Sequence, residues 1–228
     1  MDANYRKRVA DSQLEDLLDA MGAVLIEGPK GCGKTTTAEQ HANSILYMDD
    51  PEKTRQYHQM VQTNIRYILQ GDNPRLIDEW QTAPELWDAI RFEIDHRKQD
   101  GLFMLTGSAV PADISKINHS GTARFGWLTM RPMSLWESCE SSGSVSLENL
   151  FSKNVRVEGF SSLSINELAF ALCRGGWPGA LLKKSSKAAL TLVREYYHAI
   201  VKYDISRVDA VTKNEERTKR IMRGLSLH

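Results

Sequence analysis

Residues 28–36 follow the apolar run Ala23–Ile26 and read Gly28-Pro29-Lys30-Gly31-Cys32-Gly33-Lys34-Thr35-Thr36. The spacing of glycines, lysine and threonine is that of a phosphate-binding loop, in which a buried strand turns abruptly into a helix. Glycines lack a Cβ and reach unusual backbone angles, so their N–H groups can approach phosphate oxygens closely. The helix that follows directs free N–H groups and its positive dipole end at the same anion. We therefore predict that residues 28–36 bind a polyphosphate.

Two side chains of this loop have specific roles in the hypothesis. Lys34 would bridge the β- and γ-phosphates of a nucleotide, and the Thr35 hydroxyl would be a ligand of Mg²⁺. The alternative is a glycine-rich turn without a ligand, but the predicted strand before it and helix after it are the context that the motif requires. Cys32 could be oxidised or alkylated within the loop. We favour the simpler interpretation, in which a small residue fits a tight turn.

The composition is typical of a soluble globular protein. Of the 228 residues, 41% are hydrophobic and 25% are charged, which allows one large domain or one domain with a small appendage. Lys plus Arg equals Asp plus Glu at 29 each, so the net charge gives no general reason to expect nucleic acid or a membrane surface as partner, although a local basic patch is compatible with it. We expect no membrane span and no secretory signal. Three separated cysteines indicate free thiols and a cytoplasmic protein.

Strand and helix patterns alternate through the first 130 residues. Apolar runs predict strands at 23–27, 44–48, 75–78, 102–105 and 125–130, and helical periodicity predicts helices at 11–21, 34–42, 52–70 and 84–97. Strands separated by helices in this way predict an α/β fold, with a parallel sheet and helices on both of its faces.

The sequence changes in character after Pro132. A serine-rich stretch near residues 139–146 suggests a boundary, and residues 160–228 contain helical patterns without a convincing strand. We therefore predict an α/β domain at 1–140 and a helical subdomain at 141–228. The amphipathic pattern of Ile221, Met222 and Leu225 continues almost to His228 without an obvious partner, so we expect that the natural chain continues further.

Two acidic residues at the end of the third predicted strand are candidates for metal binding and catalysis. Asp78 and Glu79 follow Leu76-Ile77 directly. Because the carboxyl ends of parallel strands share one edge of a sheet, these acids can converge on Thr35. Asp78 would hold Mg²⁺ through water, and Glu79 would polarise the attacking water. The alternative is that the pair caps the next helical segment.

Two further candidates flank predicted strands, and the first of them lies at this same edge. Thr106-Gly107-Ser108 ends the fourth strand, where a hydroxyl could contact the γ-phosphate or orient water, or could belong to an ordinary turn. Arg124 precedes the fifth strand. It is either a surface charge or an arginine finger that reaches the γ-phosphate of a neighbouring subunit. The residues alone leave both alternatives open.

Five motifs in order resemble a known family. They are Glu27–Thr35 around the loop, Leu76-Ile-Asp-Glu-Trp-Gln81, Leu105-Thr-Gly-Ser108, Arg131-Pro-Met-Ser-Leu-Trp-Glu137 and Gly175-Gly-Trp-Pro178. From about Tyr5 to about Val211, the chain looks like the bacterial and archaeal AAA-type ATPases that carry a C-terminal domain of unknown function.

This resemblance implies a fold, a ligand and a set of roles. The fold would be the three-layer α/β/α sandwich of P-loop NTPases, with strand order 5-1-4-3-2 and a small helical lid that contains Gly175–Pro178. The ligands would be ATP or ADP with Mg²⁺. Lys34 and Thr35 would be the Walker A pair, and Asp78 and Glu79 the Walker B pair. Ser108, or else Thr106, matches the sensor position, and Arg124 matches the finger-like arginine.

The chain departs from the family in two respects. Relatives tend to have glycine immediately before the finger-like arginine, where this chain has Ala123. Relatives are also about twice as long, with a second domain thought to be related to restriction-endonuclease folds. We therefore expect a truncated chain or a fragment.

Three functions are compatible with these residues. The first is a Mg²⁺-dependent ATPase, in which Glu79 activates water. The second is a nucleotide-dependent switch that binds ATP or ADP and hydrolyses ATP negligibly. The third is a small-molecule kinase, which the water-activating position of Glu79 disfavours. The nucleotide is the predicted partner, a homo-oligomer is possible, and the client is left open between nucleic acid and protein.

Overall fold

Five strands form one parallel sheet in the computed structural model, which describes residues 5–107, 120–151, 158–205 and 214–225. The strands are β1 (Ala23–Glu27), β2 (Ser44–Tyr47), β3 (Arg75–Asp78), β4 (Phe103–Gly107) and β5 (Phe125–Thr129). Their order is β2-β3-β4-β1-β5, and all four pairings are parallel. This is the predicted order read from the opposite edge, and with helices around the sheet it confirms the predicted P-loop NTPase fold.

Four helices accompany the sheet. They are α1 (Val9–Ala20), α2 (Lys34–His41), α3 (Thr54–Asn64) and α4 (Leu86–Arg97). The predicted helix at 52–70 is shorter than expected, because Asn64 leaves the helical backbone region and its side chain accepts a hydrogen bond from the backbone N–H of Arg66. Side chains of this kind compete with the helix for backbone groups. A short 3₁₀ turn, Ile65–Tyr67, follows instead.

The central strands are buried, as their continuous apolar sequences predict. Four of the five residues of β1 and all five of β4 are buried, which is typical of strands covered on both faces. The Trp87 side chain of α4 stacks on Phe125 of β5, with ring centroids 3.9 Å apart. This packing holds α4 against β5, the strand that Arg124 precedes.

The chain divides into two compact units, residues 1–132 and 133–228. In the described part of the second unit all regular elements are helical: α5 (Leu147–Leu150), α6 (Ile165–Arg174), α7 (Pro178–Leu181), α8 (Ser186–Ala199), its π-helical continuation Ile200–Asp204, and α9 (Glu215–Leu225). None of the helices within the described ranges is long and apolar enough to cross a membrane.

The Gly175-Gly176 pair that ends α6 has a packing role inside the second unit. A Cβ on Gly176 would lie 1.8 Å from the backbone oxygen of Met133, and the Met133 N–H donates to the Gly176 carbonyl over 2.7 Å. Beside this contact, the Arg174 guanidinium forms a two-point ion pair with Glu140. The glycine is therefore required for close approach of two backbone segments.

Candidate functional site

The loop between β1 and α2 has a backbone that only its glycines can adopt without strain. Gly28, Gly31 and Gly33 have φ angles of +155°, +77° and +102°. A Cβ on Gly28 would lie 2.1 Å from the carbonyl oxygen of Met130, whereas no atom of the described residues lies within 4 Å of a Cβ placed on Gly31. The loop is therefore tightly packed against the end of β5 on one side and open at Gly31.

The N-terminus of α2 begins at a residue without a side chain. Gly33 is the N-cap and therefore offers no side-chain oxygen to the N–H groups of the first turn. The side chain of Lys34 is buried, and its ammonium donates to the carbonyl oxygens of Gly28 over 2.9 Å and Pro29 over 3.2 Å. An ammonium held against neutral carbonyls can exchange them for phosphate oxygens, with which it forms stronger charge-assisted bonds.

Three side chains meet at the carboxyl ends of β3 and β4. The Thr35 hydroxyl donates to Oδ1 of Asp78 over 2.9 Å, and the Thr106 hydroxyl donates to the same oxygen. Thr106 and Asp78 are partners in the parallel pairing of the two strands. Both side chains are buried. The structure thus brings the loop threonine and the strand acid together, as the shared-edge argument anticipates.

Glu79 lies directly after this cluster in an unusual conformation. Its φ angle is +54°, in the left-handed region that non-glycine residues seldom occupy. The side chain is partly buried, and the Gln81 amide nitrogen donates a hydrogen bond to its Oε2. The sequence alone predicted no role for Gln81.

The two remaining candidates are Ser108 and Arg124. Ser108 lies outside the described residues. The Arg124 side chain is half-exposed, and its Nε donates to Asp95 Oδ1 over 2.9 Å. Asp95 also pairs with Arg91 of the same helix over 3.0 Å. Ala123, at the position where the family resemblance implies glycine, has a φ angle of +62°. The turn before Arg124 therefore takes the glycine-like conformation with an alanine.

The N-terminal segment contributes an unpredicted support for the loop. The buried guanidinium of Arg8 donates to the Cys32 carbonyl over 2.9 Å and to the Arg131 carbonyl over 2.7 Å. The Tyr5 hydroxyl donates to Asp11 over 2.8 Å, and its oxygen lies 2.9 Å from the Thr37 hydroxyl. Burial raises the pKa of Tyr5 well above its usual value. No local sequence pattern indicates the contacts with Cys32, Thr37 and Arg131, because these partners are 24, 32 and 123 residues away in the chain.

Cys32 fits the simpler of its two interpretations. The side chain is fully buried, and its thiol lies 3.7 Å from the Met130 carbonyl. Burial raises the pKa of this thiol, which disfavours the reactive thiolate.

The sequence model of the AAA domain matches residues 21–139. The chain belongs to the AAA domain family. A second family model, a domain of unknown function (DUF8612), matches residues 165–228. The AAA domain match contains the glycine-rich loop, Asp78 and Glu79, Thr106, and Arg124. No curated protein matches the chain.

Several solved structures are similar to this AAA domain protein. A Walker-type ATPase of Pyrococcus abyssi is 15% identical, with a TM-score of 0.44, over 99% of this chain and 75% of its own. AMPPCP-bound DnaA from Aquifex aeolicus is 15% identical, with a TM-score of 0.40, over 96% and 86% of the two chains. PCH-2 from C. elegans is 14% identical, with a TM-score of 0.37, over 83% and 59%.

The residues around the loop fit a nucleotide with a divalent cation. The open loop at Gly31, the N-terminus of α2 and the Lys34 ammonium are the donors that a polyphosphate requires. Across the described ranges no cluster of three His, Cys, Asp or Glu side chains is suited to a metal. A cation here would therefore depend on the oxygens of Thr35 and Asp78, together with phosphate and water oxygens, which is the ligand set that Mg²⁺ prefers.

Proposed function

We propose that the protein binds ATP together with Mg²⁺ and hydrolyses it. The observation that carries the proposal is the 2.9 Å contact between the Thr35 hydroxyl of the loop and the Asp78 carboxylate of β3. The two side chains are 43 residues apart in sequence. Their meeting beside Lys34 gives the metal-binding hydroxyl and acid that phosphoryl transfer in this class of site requires.

The loop would bind the phosphates. Backbone N–H groups of residues 28–36 would donate to phosphate oxygens, and Lys34 would exchange the Gly28 and Pro29 carbonyls for the β- and γ-phosphates. Thr35 would be a direct ligand of the cation, and Asp78 would bind it through water. When bound, Mg²⁺ supplies positive charge that offsets the charge of the β- and γ-phosphate oxygens.

Glu79 would act as the general base. It follows the metal-binding acid directly, and its carboxylate is partly accessible beside the buried Asp78. It would accept a proton from the attacking water, whose oxygen would be positioned for the γ-phosphorus. Ser108 would contact the γ-phosphate as the sensor. Arg124 would act on a neighbouring subunit after release from Asp95, so it would contribute only in a homo-oligomer.

Steady-state ATP hydrolysis and nucleotide binding test these roles together. We expect Lys34→Ala to abolish binding of a fluorescent ATP analogue, and Glu79→Gln to retain binding while turnover falls by about 10²–10⁴-fold. The exposed Lys53 provides the control, and Lys53→Ala should change neither quantity. Equal loss of binding in Lys34→Ala and Glu79→Gln would contradict the assigned roles.

Protein concentration separates the remaining alternatives. Turnover per subunit that rises with concentration, and that Arg124→Ala removes, supports an oligomeric ATPase with Arg124 acting in trans. Tight binding without turnover at any concentration overturns the hydrolase and favours the nucleotide switch. Transfer of the phosphoryl group to a second substrate in place of water overturns it in favour of a kinase.

A further inference from the structure

The segment that follows β3 is a short, tightly bonded turn. Glu79 has φ +54° and ψ +40°, and a 3₁₀ turn over Trp80–Thr82 follows it. The Thr82 backbone N–H and hydroxyl both donate to the Glu79 carbonyl, over 3.1 and 2.9 Å. The Gln81 side chain turns back along this segment and donates its amide N–H to Oε2 of Glu79. The backbone and the carboxylate of Glu79 are therefore both held by the next three residues.

The other end of the Gln81 amide is its carbonyl oxygen. Its Oε1 atom is buried and has no hydrogen-bond partner among the described residues. A buried polar atom without a partner costs free energy that an apolar side chain of the same size would avoid. Within the described ranges, the hydrogen bond that this amide makes is the one from its nitrogen to the Glu79 carboxylate.

Gly107, at the end of β4, provides the space for this amide. A Cβ on Gly107 would lie 2.3 Å from Gln81 Oε1 and 3.3 Å from Trp80 Nε1. The backbone angles of Gly107 are not in the positive-φ region, so its lack of a side chain is explained by this close approach. The neighbouring strand thus accommodates the Gln81 side chain in the position from which it reaches Glu79.

We propose that Gln81 is a positioning residue that fixes the Glu79 carboxylate for catalysis, with Gly107 as the residue that makes room for it. This inference rests on the proposed role of Glu79 as general base. An amide N–H occupies Oε2 and leaves Oε1 of Glu79 to accept the proton of water. The oxygen of that water bonds to the γ-phosphorus as the bond from phosphorus to the leaving ADP oxygen breaks.

A merely structural role for Gln81 has a different consequence. If the side chain only closed the turn, its loss would loosen the segment after β3, and stability or ATP affinity would fall together with turnover. A positioning role instead affects kcat alone, because Glu79 contacts the water and not the ground-state phosphates. Gln81→Glu adds a discriminating variant. It keeps the shape of the side chain but removes the donor and places a second carboxylate beside Glu79.

The first experiment measures kcat, the Kd of a fluorescent ATP analogue and the melting temperature for Gln81→Ala and Gln81→Glu. We expect kcat to fall by about 10–100-fold, the range found when a group that orients a catalytic ligand is removed. We expect the ATP Kd to change by less than about twofold and the melting temperature to stay close to that of the wild type. The exposed Gln99 supplies the control, Gln99→Ala, which should change none of the three. A kcat within about twofold of the wild type, or a fall in affinity as large as the fall in kcat, would overturn the inference.

Two further variants keep the test independent of any folding defect at position 81. Gly107→Ala should lower kcat in the same way, because its new methyl group would lie 2.3 Å from the Gln81 amide oxygen and displace that side chain. In a double-mutant cycle, Gln81→Ala should add no further loss in the Glu79→Gln background, because its effect passes through Glu79. If the losses of kcat in Gln81→Ala and Glu79→Gln were additive, the positioning role of Gln81 would be refuted. Full turnover in Glu79→Gln alone would instead refute the proposed function, so the two failures are distinguishable.

Discussion

Arg8 lies outside the glycine-rich motif, but its contact with the loop predicts that it supports both stability and nucleotide binding. Arg8 is 5% exposed, and its guanidinium bridges two carbonyls, those of Cys32 in the loop and Arg131 after β5. It therefore ties the N-terminal segment, the loop and the end of the sheet together. We expect Arg8→Met to destabilise the first unit and to weaken nucleotide binding, because the loop loses a donor on its packed side.

The magnitude follows from the two hydrogen bonds. A hydrogen bond to a charged group contributes about 1.5–3 kcal/mol, and a buried carbonyl left without a donor costs about 1–3 kcal/mol. The bond to Cys32 is buried and the bond to Arg131 is only partly buried, so we expect a loss of about 3 kcal/mol for Arg8→Met. Arg8→Lys keeps the charge but cannot present the planar fork to both carbonyls, and it should lose about half as much.

Urea unfolding followed by tryptophan fluorescence measures this loss as a shift of midpoint at constant m-value. Lys7→Met is the matched control, because Lys7 is the exposed neighbour with the same charge and should change stability by less than about 0.5 kcal/mol. Binding of a fluorescent ATP analogue is measured on the same variants. The reasoning is refuted if Arg8→Met is no less stable than Lys7→Met, or if Arg8→Lys is as damaging as Arg8→Met.

Three further predictions concern other parts of the chain. Cys32 should react with iodoacetamide far more slowly than the exposed Cys139, because burial both blocks it and raises its pKa; mass spectrometry of a time course checks this, and equal rates would contradict it. The hydrogen bond to Glu39, and to a smaller extent burial, raise the pKa of Tyr47 from 10.0 to about 12. The protonated Tyr47 side chain therefore stabilises the fold below pH 10, and this contribution to the free energy of unfolding is lost as the pH rises from 10 to 12. In urea unfolding from pH 10 to 12, the free energy of unfolding should fall less in Tyr47→Phe than in the wild type. Residues 165–228 contain 12 of the 29 Lys and Arg but only 6 of the 29 Asp and Glu, so we expect this region to bind DNA with an affinity that falls steeply with salt in a gel-shift titration; no binding, or binding that ignores salt, would contradict it.

The sequence predicted those features that depend on neighbouring residues or on general rules of parallel sheets. The strands around the loop do not alternate apolar and polar residues, because they are buried on both faces. The acids after β3 lie at the edge of the sheet where the carboxyl ends of parallel strands meet. The meeting of Thr35 with Asp78 follows from these two rules, together with the register that pairs Asp78 with Thr106. Periodicity alone overestimated α3, because the competing hydrogen bond of Asn64 has no periodic signature.

The supports of the site could not be predicted because they depend on distant contacts or on side-chain direction. Arg8 and Arg131 are 123 residues apart, and nothing in either neighbourhood indicates that they meet. Gln81 is close to Glu79 in sequence, but only the left-handed turn at Glu79 directs the amide back to the carboxylate. The glycine at position 107 carried a usable signal, since a glycine that ends a buried strand indicates a close approach by another group.

Four non-glycine residues in the described ranges have positive φ angles. Lys98 has a positive φ because it ends α4, where left-handed residues are common. Ala123 lies in the turn that the Arg124 N–H closes by donating to the Gly121 carbonyl, and Cys139 ends the turn in which its own N–H donates to the Trp136 carbonyl. Glu79 is the one of the four that directly follows Asp78 at the carboxyl end of β3. A left-handed conformation costs a non-glycine residue about 1–2 kcal/mol. A glycine would remove this strain at position 79, but it would also remove the carboxylate. The strain at Glu79 therefore agrees with the general-base role that we propose for its carboxylate, and the turn is what allows Gln81 to bind that carboxylate.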